Sequence, residues 1–150
     1  MTSAAVLVAL VAAAVNLGAA AIGGWAYYRV RQSRLFWILA RGAQASALAL
    51  ALLTGVLVAS GRHPRDDLFY LYALVPLAVG LAAEQLRIAA AETVLGARGL
   101  ADAQAVGALP EADQHSIVMS ILRREMGVMA LAAVVVCVLE LRAAGTAHGF

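Results

Sequence analysis

Four long apolar stretches take up most of this 150-residue chain and constrain its fold more than any motif does. They cover residues 4–28, 35–60, 68–95 and 117–144. A helix crosses the hydrocarbon of a bilayer with about 20 mostly apolar residues, at a rise of about 1.5 Å per residue. All four stretches exceed that length, and the segments between them are short. The sequence therefore predicts one all-α transmembrane domain over residues 1–150, a polytopic four-transmembrane-helix up-down bundle with short loops.

The composition is that of a membrane protein. Hydrophobic residues make up 63% of the chain and charged residues 13%, and the mean hydropathy is +0.86. A soluble domain of this size needs far more charge to cover its surface. The formal net charge is only +2, and most of the arginines flank the apolar stretches, where orientation signals are expected. We therefore expect a multi-pass protein of the cell membrane, with membrane lipid and no nucleic acid among its partners.

The arginines also predict which side of the membrane each connection faces. Cytoplasmic connections carry an excess of Lys and Arg. The first and third connections with their edges hold four arginines each, the second holds Arg62 and Arg65, and the termini hold only Arg142. The first and third connections are therefore predicted to be cytoplasmic, and both termini are predicted to lie outside.

Small residues recur at every fourth position of the second stretch. We call this series the alanine ladder; its members are Ala43, Ala47, Ala51, Gly55 and Ala59. Small side chains at this spacing lie on one face of a helix and let a second helix approach closely. The ladder is therefore interpreted as a helix-packing seam, either within one protomer or between protomers. The alternative is chance, since the chain is rich in alanine.

Several polar residues are predicted to share one depth near the inner end of the second, third and fourth helices. Counting residues from the outer ends of these helices gives the set Arg41, Gln44, Glu84, Gln85, Arg87 and Glu125. Its two arginines balance its two glutamates, and burying an unpaired ion costs several kcal/mol. We therefore predict a structural network of ion pairs and hydrogen bonds. Independent snorkelling of these side chains, or a solute or proton site at Glu84, are the alternatives.

Few other polar residues lie inside the stretches. Asn16 is near the middle of the first and is predicted to form a hydrogen bond at a helix interface, with a pore-lining role as the alternative. Glu92 and Glu140 are expected to face headgroups or water. Pro76 and Gly80 predict a bend in the third helix, interpreted as a fit of shape rather than a gating hinge.

The sequence offers no catalytic, cofactor or metal site. The three histidines, His63, His115 and His148, lie away from the centres of the apolar stretches, which argues against a bis-histidine haem. Cys137 is the only cysteine, and the chain has no HExxH motif for zinc. We therefore expect no enzyme activity and no cofactor.

Two function classes follow from these observations. The first is a structural, accessory or assembly subunit in the membrane, which the scarcity of central polar residues and the balanced inner layer favour. The alternative is a homo-oligomeric channel or transporter for an ion or small solute, which Glu84, Asn16 and the expected bend favour. Both classes predict a homo-oligomer or a larger membrane complex.

Overall fold

The computed structural model describes residues 2–147, with only the backbone of Thr2, Ser3 and Ala103. Within that range there is no β-strand, and the helices are α1 (Thr2–Arg29), α2 (Arg34–Ala59), α3 (Leu68–Ala97), α4 (Ala103–Gly107) and α5 (Glu111–Thr146). The four long helices α1, α2, α3 and α5 are long and apolar enough to cross a membrane. The predicted all-helical class with four long apolar helices is confirmed.

The long helices surround one core in the order α1, α2, α3, α5. Helix α5 packs extensively against both α1 and α3, and α1 also packs against α2. The contact between α2 and α3 is the smallest of the four neighbouring contacts, although the two helices are consecutive in the chain. The bundle is therefore loosest between α2 and α3.

Two apolar clusters form the core. One joins the beginnings of α1 and α3 to the ends of α2 and α5, through the buried side chains of Ala5, Ala9, Leu50, Leu57, Phe69, Ala73, Ala143, Ala144 and Ala147. The other lies toward the opposite helix ends and consists of Ala26, Phe36, Ala40, Ala83, Met126 and Met129. Alanine predominates in the first cluster, so the helix backbones approach closely there.

A close contact between α1 and α2 depends on a glycine. A Cβ atom added to Gly23 of α1 would clash with the ring of Phe36, which is fully buried on α2. The neighbouring Gly24 has no atom within 4 Å of such a Cβ. Gly23 therefore fixes the distance between α1 and α2, although no regular series of small residues marks it in the sequence.

Helices α1, α2 and α3 end in the same way. Each is followed by a residue with positive φ, namely Val30 (50°), Gly61 (74°) and Gly99 (68°). The residue after each donates its N–H to a carbonyl five positions back, which is the Schellman arrangement. Glycine adopts this conformation without strain, whereas a branched residue such as Val30 is disfavoured by about 1–2 kcal/mol. These tight ends keep the connections short.

Candidate functional site

Four of the six residues predicted to share the inner layer are in contact. Oε1 of Glu84 on α3 accepts hydrogen bonds from Arg41 Nη1 (2.6 Å) and Gln44 Nε2 (2.8 Å) of α2. Oε2 of Glu84 accepts from Arg87 Nε at 3.0 Å. Arg41 Nη1 also donates to Gln44 Oε1 at 2.6 Å. Both oxygens of Glu84 are therefore satisfied, and this Glu84 cluster joins α2 to α3 where the two helices otherwise touch little.

An aromatic ring supports the cluster from one side. The guanidinium carbon of Arg87 lies 5.5 Å from the ring centroid of Trp37 on α2, within the range of a cation–π contact. Arg87 is thus held both by Glu84 of its own helix and by a ring of the neighbouring helix. The side chains of the cluster are only partly covered, with 56% of Arg41 and 22% of Glu84 exposed.

Two predicted members stand apart from the cluster. Gln85 is exposed, because it follows Glu84 by one position and points about 100° away around the helix. Glu125 is half-buried on α5. Within residues 2–147 neither side chain makes a hydrogen bond or an ion pair, so the expected link from the layer to α5 is not formed.

A second polar pair lies inside the bundle, between α1 and α5. The expectation that Glu140 faces headgroups or water is wrong, because its side chain is 0% exposed. Asn16 Nδ2 donates to Glu140 Oε2 at 2.9 Å and to the carbonyl of Ala12 at 3.1 Å. The other carboxyl oxygen, Oε1 of Glu140, has no hydrogen-bond partner among the residues that the structure describes.

The sequence contains a signal from which the buried Asn16–Glu140 pair can be predicted. Asn16 and Glu140 are strongly polar residues inside apolar stretches, and such residues usually face the interior of a bundle and pair with each other. Glu140 also has small residues one turn away on α5, Ala143 and Ala144, both buried in the core. Because small residues mark the face of a helix that packs closely against its neighbours, a polar side chain on that face is expected to lie inside the bundle.

A cavity of about 440 Å³ lies between the Glu84 cluster and the Asn16–Glu140 pair. Its walls come from residues 40–48 of α2, 76–84 of α3 and 129–136 of α5, together with Asn16 of α1. Gln44 and Glu84 line one end, and Asn16 lies toward the other, where it reaches Glu140. Ligand pockets of small molecules have volumes of about 300–1,000 Å³. The cavity is therefore large enough for a small ligand.

The cavity opens outward through the gap between α2 and α3. Leu48 of α2 and Leu81 of α3 both line it, and 49% and 71% of their surfaces are exposed. Pro76 and Gly80 of α3 also line the wall. Proline leaves the carbonyl four residues earlier without its helical hydrogen bond, and no atom lies within 4 Å of a Cβ added to Gly80. The missing hydrogen bond and the open space beside Gly80 both lie in the wall that α3 contributes.

The alanine ladder does not behave as one seam within the chain. Ala43 and Ala47 are buried and line the cavity, and Ala51 is half-buried. Gly55 and Ala59 are exposed, and no atom lies within 4 Å of a Cβ added to Gly55. Within the chain only the inner part of the ladder is covered.

The connection between α2 and α3 has a local structural role. Asp66 caps α3 by accepting a hydrogen bond from the N–H of Leu68 at 2.9 Å, and His63 Nδ1 lies 3.0 Å from the hydroxyl of Tyr70. Within residues 2–147 no three His, Cys, Asp or Glu side chains are grouped so that they could hold a metal ion. His148 lies outside the described residues.

Comparisons of the chain with known protein families, with curated proteins and with solved structures found no match in any of the three.

Proposed function

We propose that the four long helices cross the cell membrane in up-down order, with both termini outside. Their hydropathy and length support this placement. So does the first core cluster, which combines the beginnings of two helices with the ends of the other two. In this orientation the Glu84 cluster lies near the inner face, on the side of the arginine-rich connections, and Trp37 lies at the depth where aromatic side chains are favoured.

We propose further that the protein binds an ion or small solute in the cavity between α2 and α3, as a member of the channel and transporter class. The observation that carries this proposal is the cavity itself, which extends from the Glu84 cluster to Asn16 and opens between two helices. Its walls are mostly apolar and carry polar groups at both ends, which is the usual composition of a site for a small molecule.

The buried Asn16–Glu140 pair supports the same proposal. Packing of α1 against α5 does not require a carboxyl group, and an apolar side chain at position 140 would leave no oxygen unpaired. Ionisable residues inside membrane-spanning segments are rare and commonly mark pathways for ions, protons or substrates. Because Asn16 both lines the cavity and binds Glu140, a change in the cavity can reach this carboxyl.

Conduction across the membrane requires more than one copy of this chain. The cavity opens sideways, and a single bundle of four spans does not enclose a path from one face to the other. A homo-oligomer is therefore part of the proposal. The exposed outer part of the alanine ladder offers small residues at which a second helix can approach.

The second candidate is the structural, accessory or assembly subunit. The same exposed residues favour it, because Gly55 and Ala59 are uncovered within the chain. A different membrane protein can pack on this face as well as a second copy can.

Native mass spectrometry from mild detergent distinguishes the two candidates. Solute binding predicts a homo-oligomer that carries a small bound molecule. The molecule should be lost in Gly80→Leu, which fills the cavity, and kept in the matched control Gly96→Leu, where the same change lies at an exposed position of the same helix outside the cavity. A chain that carries no bound molecule and co-purifies with a larger complex would overturn the binding proposal and support the accessory role.

A further inference from the structure

We infer that the ligand of this cavity is a phospholipid with an acidic headgroup, its tail held between α2 and α3 and its headgroup at Arg41. This inference rests on the proposed function, because it keeps the same cavity as the binding site; it narrows the ligand to an amphipathic molecule of the membrane itself, in place of a soluble ion. Three observations carry it: the lining of the cavity, the side on which it opens, and the charge at its inner end.

The lining suits a hydrocarbon tail. Between Glu84 and Asn16 the side chains that line the walls are all apolar, namely alanines and leucines of α2 and α3 with Pro76, and Met129, Val136 and two alanines of α5. The lined part of α3, residues 76–84, is about 12 Å long at the helical rise. Asn16 adds little free polarity, because Nδ2 already donates to Ala12 and Glu140. An apolar chain therefore breaks neither of the hydrogen bonds that Nδ2 donates.

The opening faces the region where lipid tails lie. Leu48 and Leu81, at the rim, are exposed apolar residues midway along helices that are proposed to span the bilayer. A tail can therefore enter sideways through the gap between α2 and α3 without passing through water. A soluble anion such as phosphate has no such route, and the apolar lining offers it no binding energy.

The charge at the inner end favours an acidic headgroup. Arg41 and Arg87 face the single carboxylate of Glu84, so the cluster carries a net charge of +1. Arg41 uses Nη1 for Glu84 and Gln44, while its Nε and Nη2 make no hydrogen bond within residues 2–147. A guanidinium presents such donors in a planar fork that matches phosphate oxygens.

The leaflet in which the Glu84 cluster is proposed to lie is also the one that contains anionic lipids. The proposed orientation places the Glu84 cluster on the cytoplasmic side, where anionic lipids give the membrane a negative surface potential. A basic site between helices at this depth is typical of headgroup recognition. A lipophilic cation would meet the net positive charge of the cluster instead.

Lipid binding to the purified full-length protein tests the inference. The probes are phosphatidylglycerol and phosphatidylcholine with identical tails, and inorganic phosphate as the soluble anion. Binding is read from native mass spectra and from the rise in the thermal midpoint in mild detergent. Arg41→Gln removes the charge beside Glu84 at the inner end of the cavity, and Arg65→Gln makes the same change in the exposed outer connection. Gly80→Leu fills the cavity, and Gly96→Leu, at an exposed position of the same helix, is its control. Thermal midpoints without lipid show that each variant folds.

The expected result is that phosphatidylglycerol binds more tightly than phosphatidylcholine and that phosphate does not bind. Arg41→Gln should weaken phosphatidylglycerol binding by about tenfold or more, the usual effect of losing a hydrogen bond to a charged group. Gly80→Leu should remove the binding of both lipids, and the two control variants should bind like the unaltered protein.

Other outcomes overturn the inference in distinguishable ways. Equal binding of the two lipids, unchanged in Arg41→Gln but lost in Gly80→Leu, would reject the acidic headgroup and leave the cavity as a binding site. Lipid binding that Gly80→Leu leaves intact would place the lipid elsewhere. A lipid-free dimer that Gly80→Leu dissociates would assign the gap to a helix of a second copy, and would overturn the proposed solute site as well.

Discussion

Two carboxylates of this protein are bound by side-chain amides in nearly the same way, yet their surroundings differ completely. Glu84 accepts from Gln44 at 2.8 Å, and Glu140 accepts from Asn16 at 2.9 Å. Glu84 also has two arginines and no unsatisfied oxygen. Glu140 is fully buried, has no ion pair within residues 2–147, and keeps one oxygen without a partner.

This difference separates a structural contact from a candidate functional one. The Glu84 cluster is partly exposed and its carboxylate is paired with two arginines, so it can hold α2 and α3 together as an ion-pair network. A buried carboxyl without a cation weakens the fold unless it is neutral or binds something. The bundle therefore retains at position 140 a group that packing does not require.

The largest effect is expected when Glu140 loses Asn16, its only side-chain partner within residues 2–147. Asn16→Ala leaves the whole carboxyl unsatisfied in the core, which should lower the free energy of unfolding by about 2–3 kcal/mol. Replacing both members with apolar residues, in Asn16→Ala with Glu140→Leu, should recover most of the loss. Reversible unfolding in mixed micelles measures both. A double variant no more stable than Asn16→Ala would mean that the loss comes from the space left on α1.

A smaller effect is expected from the amide of the Glu84 cluster. Gln44→Ala removes two hydrogen bonds but leaves both arginines on Glu84, so the loss should be about 1 kcal/mol. Gln85→Ala is the matched control, because Gln85 is exposed and outside the cluster. Its stability should stay within about 0.5 kcal/mol of the unaltered protein. Equal losses in the two variants would show that the cluster does not stabilise the fold.

The smallest effect is a difference in salt dependence: the stability contributed by Glu84 should depend on ionic strength, and that contributed by Glu140 should not. Salt screens exposed charges and leaves buried neutral contacts almost unchanged. Raising the salt from about 0.05 to 0.5 M should therefore lower the stability that Glu84 contributes by a few tenths of a kcal/mol. The comparison is made by unfolding the unaltered protein, Glu84→Gln and Asn16→Ala at both concentrations. If the free energy of unfolding lost in Asn16→Ala changed with salt, this would indicate that Glu140 is charged and open to water.

The sequence predicts the helices and their depth better than it predicts which way side chains point. Hydropathy places the predicted ends of the first three long helices within two residues of the observed ones, because the cost of exposing polar groups to lipid depends on depth. Depth counting also brings Arg41, Gln44, Glu84 and Arg87 together, since a short turn sets the register of α2 against α3.

Depth counting does not include the direction in which each side chain points around its helix axis. Gln85 and Glu125 have the expected depth, but their directions around the helices keep them out of the cluster. Glu140 differs from its prediction for the same reason: its position toward a helix end predicts access to headgroups, but its side chain points into the core. Hydropathic moments carry little direction in a bundle whose outer surface is also apolar, so neighbouring small residues and polar partners are the better guide.

The central claim is that Glu84 stabilises the bundle through its charge, whereas Glu140 is retained for another purpose. It is tested most directly by the free energies of unfolding of Glu84→Gln and Glu140→Gln, measured side by side in the same mixed micelles. Glutamine at position 84 loses two ion pairs, and the expected loss is about 1–2 kcal/mol. Glutamine at position 140 keeps an oxygen for Asn16 and deprives no cation of a partner, so the change should stay within about 0.5 kcal/mol. A loss in Glu140→Gln as large as that in Glu84→Gln would contradict the account.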